Sequence, residues 1–175
     1  MYKLVFVLLF TVVFANANSL SLVMGKIQAH TEVFGDSTIN PQTEDIVTEL
    51  EKSDSLESIK GKFEIEAISL ISDNKDRDKH MYEVLNVKNS PKIVFILNSI
   101  SKQEDSYLLS GILILNNISK PITSKATIKE VEKNINLNGD FSIKLTDFGM
   151  EPPTMFFLTV RDQIDIKYDF NFKDN

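Results

Sequence analysis

The residue types most able to do chemistry in this chain gather in one short stretch, Asp76-x-Asp78-x-His80, with a second histidine, His30, far upstream. Alternating carboxylate and imidazole groups suit either a metal ion or an acid–base pair. A metal site needs about three or four convergent ligands, so this run would need help from elsewhere. Asp73 and Asn74 do not extend it into a calcium-binding loop, because the required glycine and terminal glutamate are missing. The run reads better as a polar loop, Ser72–Asp78, with Asp78 capping a short helix that carries Met81, Val84 and Leu85 on its apolar side. No metal and no cofactor is expected. The strongest catalytic arrangement on offer is His80 acting with Asp76 or Asp78 on a lipid, and it lacks a nucleophile. There is no Gly-x-Ser-x-Gly elbow, no glycine-rich phosphate loop and no cysteine, so thiolate catalysis and disulfides are excluded. The other carboxylates fall on alternating wet faces or in loops. Asn117-Ile118-Ser119 is a formal glycosylation sequon and a weak match.

The elements that must position such residues are mostly strands. Ile164, Ile166, Tyr168, Phe170 and Phe172 alternate with polar residues, as do Leu137, Gly139, Phe141, Ile143 and Leu145. Successive side chains of a strand point to opposite faces, so each run has one buried and one wet face. Gly61–Ala67 and Lys26–His30 repeat the pattern more briefly. Lys92–Leu97 and Ser110–Ile118 are more continuously apolar and read as strands covered on both faces. Ser101–Asp105 and Val131–Ile135 read as hairpin turns. The segment Thr43–Lys52 reads as a second short helix or an irregular excursion. About eight strand candidates with little helix between them suggest an all-β, antiparallel barrel or sandwich.

The chain has 175 residues, enough for one domain with its own core. Lys3, the apolar run Leu4–Phe14 and Ala15-Asn16-Ala17 have the layout of a cleaved export signal, too short to span a bilayer, which takes about 20 residues. The expected organisation is therefore a signal peptide over 1–17 and a β domain over 18–175, located in the periplasm or secreted. Removing the signal would take away Lys3 and no acid, moving the net charge from −6 to −7. So acidic a protein repels a phosphate backbone, and nucleic acid is not an expected partner.

Three segments resemble the YceI-like family of exported, lipocalin-like, polyisoprenoid-binding proteins. Arg77-Asp78-Lys79-His80-Met81, followed by Pro91-Lys92-Ile93-Val94-Phe95, is similar to the family's Arg-Asp-x-His-hydrophobic element and the start of its next strand. Gly111–Ile122 resembles its Gly-x-Leu-x-Leu-x-Gly-Val-Thr-Lys-Pro-Val hairpin, with Asn117 in place of a glycine. Asp147-Phe148-Gly149-Met150 stands where the family has Asp-Phe-Gly-hydrophobic. The resemblance covers Gly61–Phe172; Gly25–Asn40 matches the opening strands only loosely. It implies an eight-stranded antiparallel lipocalin-like barrel, a short helix near its mouth and an elongated apolar cavity. The expected ligand is then a long-chain isoprenoid lipid or quinone, bound without catalysis by a protein that does not span the membrane; a homodimer is one candidate assembly, and the sequence does not fix the oligomeric state. Parity within each strand selects Phe63, Ile65, Ile93, Phe95, Leu113, Leu115, Phe141, Ile143, Ile166 and Phe170 as the lining. The family-like elements add Arg77, Met81 and Phe148. The competing expectations are a barrel whose core is filled and whose outer face binds protein, and the lipid-modifying enzyme built on His80.

Overall fold

The computed structural model describes residues 17–33, 36–155 and 158–175. The export signal expected over 1–17 lies, but for Ala17, outside the described residues. The elements run β1 (Asn18–Val33), β2 (Asp36–Ile39), β3 (Gln42–Thr43), β4 (Val47–Lys52), β5 (Lys60–Glu66), α1 (Lys75–Val84), β6 (Lys92–Gln103), β7 (Ser106–Leu115), β8 (Ile118–Val131), β9 (Asn134–Lys144), β10 (Thr154–Met155), β11 (Leu158–Thr159) and β12 (Gln163–Asp174). Every pairing is antiparallel. β1, β4, β5, β6, β7, β8, β9 and β12 follow one another around a ring, and β12 returns to β1, so the sheet closes as an eight-stranded barrel. Closure removes the open sheet edges that would otherwise recruit other strands.

The ladders follow the alternation. On β12, Ile166 lies opposite Phe141 of β9, and Phe170 opposite Leu137. On its other side, Phe170 lies opposite Gly25 of β1. The turns expected at Ser101–Asp105 and Val131–Ile135 are present, at Glu104-Asp105 and Glu132-Lys133. Both glutamates take the left-handed backbone that such tight turns require, with φ of 29° and 56°.

Four local expectations need correction. Thr43–Lys52 is neither helix nor excursion: Val47–Lys52 is β4, a strand of the barrel. Its inward positions are Thr48, Leu50 and Lys52, so a polar pair hides the period. Ser110–Ile118 is not one strand; it breaks at Asn116 and Asn117, with φ of 50° and 59°, into the hairpin joining β7 to β8. β6 and β7 are not covered on both faces. Val94 pairs with Ile114 and Ile96 with Ile112 on the outer wall, and Ile96 is 38% exposed. Finally, Asn74 and not Asp78 caps α1, its Oδ1 accepting from the N–H groups of Asp76 and Arg77.

The two ends of the barrel differ. At the base the strands are joined by the two tight turns and by the short link Ser53–Ile59. Phe172, Leu97 and Ile135 are fully buried there. Lys52 Nζ reaches Asp174 Oδ2 at 3.0 Å and Glu130 Oε1 at 3.1 Å, binding β4, β12 and β8 together. The long connections all lie at the opposite end, where α1, the β1–β4 link and the β10–β11 hairpin form a mouth.

Candidate functional site

The barrel is not filled. A cavity of about 1010 Å³ occupies its interior from the mouth downward, at the upper end of the usual size of small-molecule sites. This rules against the filled-core expectation. Phe63, Ile65, Ile93, Phe95, Leu113, Leu115, Phe141, Ile143, Ile166 and Phe170 all line it, as do Arg77 and Met81 from α1. Phe148 does not. It sits at 1% exposure in the barrel wall, in the buried cluster that also holds Leu115, Leu145 and Met150. A 3₁₀ turn spans Leu145–Phe148 and ends at Gly149, which takes φ 66°. The Phe148 carbonyl accepts a 3.0 Å hydrogen bond from Asn116 Nδ2, which ties the Asp-Phe-Gly loop to the β7–β8 hairpin.

Sequence reasoning also missed part of the lining. Ile164 and Tyr168 share the parity of Ile166 and Phe170, and Leu109 and Leu137 share that of Leu113 and Phe141. Parity alone points to them. Ile27 and Ala29 of β1 line it as well; the alternation over Lys26–His30 carries them, and a register shift between Leu22 and Met24 keeps that period from running back to the start of the strand.

Toward the base, five aromatic rings form a closed loop on the lumen wall. Centroid separations run 6.4 Å from Phe63 to Phe95, 6.4 Å to Phe141, 6.4 Å to Tyr168, 5.5 Å to Phe170 and 5.0 Å back to Phe63. All lie in the range where aromatic pairs attract. The wall makes room for them by omitting side chains. A Cβ on Gly111 would come within 2.6 Å of the Phe95 ring, and one on Gly139 within 2.4 Å of the Tyr168 hydroxyl. Tyr168 Oη meets Ser124 Oγ at 2.7 Å, and Ser124 Oγ also donates to the Asp140 carbonyl at 2.8 Å. Burial in this apolar setting pushes the Tyr168 phenol up to about 12.

The mouth is polar. Asp76, Arg77 and His80 reach the lining from α1, with its cap Asn74 and Ser72 just before it. Arg77 Nη1 lies 3.6 Å from Asp73 Oδ1. Asp78 is buried, and its Oδ1 accepts from Ser72 N at 3.0 Å and Ser72 Oγ at 2.6 Å, pinning the approach to the helix. Asp76 pairs with Lys79 at 2.8 Å, and His80 faces Glu83 at 3.6 Å. His30 Nδ1 contacts Asn40 Oδ1 at 2.7 Å. The acid–base set expected of His80 with Asp76 or Asp78 is thus not assembled, because each group is turned to a different partner. Among the described residues no cluster of three or more His, Asp or Glu side chains is arranged to hold a metal ion. No helix among them is long and apolar enough to cross a membrane.

A family model described as "YceI-like domain" matches residues 17–172. A UPF0312 protein of Pseudomonas putida is 30% identical over 106 residues, 55% of each chain, so this chain spans about half the length of the curated relatives it matches. The crystal structure of Burkholderia cenocepacia BcnA superposes with a TM-score of 0.74 at 16% identity, covering 84% of this chain and 95% of that one. A polyisoprenoid binding domain from Saccharophagus degradans, implicated in plant cell wall breakdown, superposes with a TM-score of 0.66 at 11% identity, covering 91% and 99%. At these identities the structural likeness establishes the barrel fold.

Proposed function

The chain belongs to the YceI-like domain family, and from that premise we propose that it binds and carries a long apolar lipid of the isoprenoid or isoprenoid-quinone class, without transforming it, in an exported compartment. One observation carries the reading: a barrel lumen of about 1010 Å³ whose wall is aliphatic and aromatic and whose mouth is polar. Such a lumen suits a molecule with an apolar tail and a polar head. Burying one methylene is worth about 0.8 kcal/mol, so a five-carbon isoprene unit contributes roughly 4 kcal/mol before the cost of ordering it. Several units would exceed the ceiling near about −18 to −21 kcal/mol that binding reaches. Tail ordering must therefore cancel much of the gain, and no strong polar contact is needed for tight holding. The polisoprenoid-binding description of the Saccharophagus degradans neighbour supports the same ligand class. Export is supported by the apolar segment Leu4–Phe14 followed by Ala15-Asn16-Ala17.

The test is solvent extraction of the protein purified from its native host, with mass spectrometry of the extract. A prenyl lipid in near-stoichiometric amount is expected. Extracts that hold only bulk phospholipid in trace amount, together with no uptake of added prenyl quinone, contradict the proposal.

A further inference from the structure

The lumen is open at one end only, and the geometry points to its aromatic floor as a subsite that receives the far end of the bound chain and selects its length. This inference rests on the lipid-binding reading. Phe63 and Phe170, the closest pair of the ring loop at 5.0 Å, both abut Phe172, at 6.2 and 5.9 Å. Phe172 is 1% exposed and lies below the lining, packed in the same cluster as Leu97 and Ile135. Under that plug the Lys52 bridges to Asp174 and Glu130 seal the base. The charged groups that face the cavity from α1 are at the mouth, and the deeper polar pair, Tyr168 and Ser124, is satisfied by its own hydrogen bond, so a lipid enters tail first and its last units meet Phe63, Phe170 and their neighbours.

The floor is also stiff. Phe170 lies against Gly25, where a Cβ would come within 2.9 Å of its ring, and Phe95 and Tyr168 lie as closely over Gly111 and Gly139. Rings bedded on a closed sheet have no space behind them to yield into, because interiors are close-packed. A chain shorter than the lumen leaves the floor bare. A longer one must leave its surplus in water at the mouth. Affinity should therefore rise with each added isoprene unit to a break length and then stay level.

A graded series of all-trans prenyl alcohols, titrated into the delipidated protein, reads that break. Phe170→Ala removes a ring whose carbons roughly match those of one isoprene unit, and should move the break one unit longer. Ile166→Phe adds a ring higher in the lumen and should move it at least one unit shorter. Thermal melts of the lipid-free variants show whether each is folded. If Phe170→Ala does not fold, Phe170→Leu carries the same test, with a several-fold gain in affinity for the first homologue past the parent's break. A parent that binds prenyl alcohols with no break, or a break that is the same in all folded variants, overturns the selective floor while leaving lipid binding intact. A parent that binds no prenyl alcohol of any length overturns both.

Discussion

Lys52 shows how one residue serves the barrel at a cost to its own legibility. It occupies an inward position at the end of β4, where an aliphatic side chain would be ordinary, and it is buried. Its ammonium is satisfied by Asp174 and Glu130. The hydrogen bond from Lys52 holds the Asp174 carboxyl below its ordinary value, and the same contact raises the Lys52 amine. A lowered carboxyl contributes stability that is complete above its unfolded pKa and is lost as pH falls through the folded one. A raised amine contributes stability that is complete below its unfolded pKa and is lost as pH rises through the folded one. The bridge therefore works between about pH 4 and pH 10. Melting temperature should fall as the pH drops below about 4, and Asp174→Asn should make that fall shallower while lowering stability near neutrality. Equal slopes for the two proteins in thermal melts from pH 2 to 7 would show that the bridge does not contribute. The Phe148 assignment failed at this same scale. The Asp-Phe-Gly motif was visible, but its place in the fold rests on the left-handed Gly149 and on the hydrogen bond from Asn116 to the Phe148 carbonyl, which spacing cannot reveal.

At the scale of elements, the strands that were easiest to read are those whose inner face is uniformly apolar. β9 and β12 needed nothing but period-two alternation. β4 escaped because two of its three inner positions are polar. Periodicity alone hid the β7–β8 turn within an apolar run, since its Asn-Asn pair lacks the glycine that usually marks such a turn; the family-like hairpin over Gly111–Ile122 held it. Helix α1 was visible, but its cap was placed four residues late. The difference has a mechanical consequence. Asn74 holds the helix start while Asp78 holds the incoming loop through Ser72, so the two side chains fix different parts of the mouth. Asn74→Ala should cost about 1 kcal/mol of stability, as loss of an N-cap does. It should also raise the hydrogen-exchange rates of the first turn of α1 and speed lipid release, because Arg77 and Met81 of that helix line the cavity. Unchanged exchange across Lys75–Lys79 would show that the cap does not hold the mouth.

For the whole molecule, the closed barrel and the side chains that face its interior were accessible from alternation and family-like motifs, whereas the lumen was implied by those motifs alone, and alternation could not give it. A packed core and a hollow one demand the same apolar parity. What separates them is the spacing of the walls, set by closure of eight strands and by which inner positions are left as glycine or alanine. Gly25, Gly111 and Gly139 fall on inward parity among larger residues, and only the folded structure shows which ring each one accommodates: Phe170, Phe95 and Tyr168.

Titration of delipidated protein with a long-chain prenyl quinone, run beside Leu115→Trp, tests the lumen most directly. Leu115 lines the cavity, so the added indole enters space that a lipid tail would fill. In a packed interior the same change would overpack and destabilise by roughly 1–3 kcal/mol. The account predicts saturable, one-to-one binding by the parent. It predicts a lipid-free variant whose melt stays near that of the parent, and a large loss of affinity in that variant. Binding that is non-saturable, or as tight in Leu115→Trp as in the parent, would contradict it.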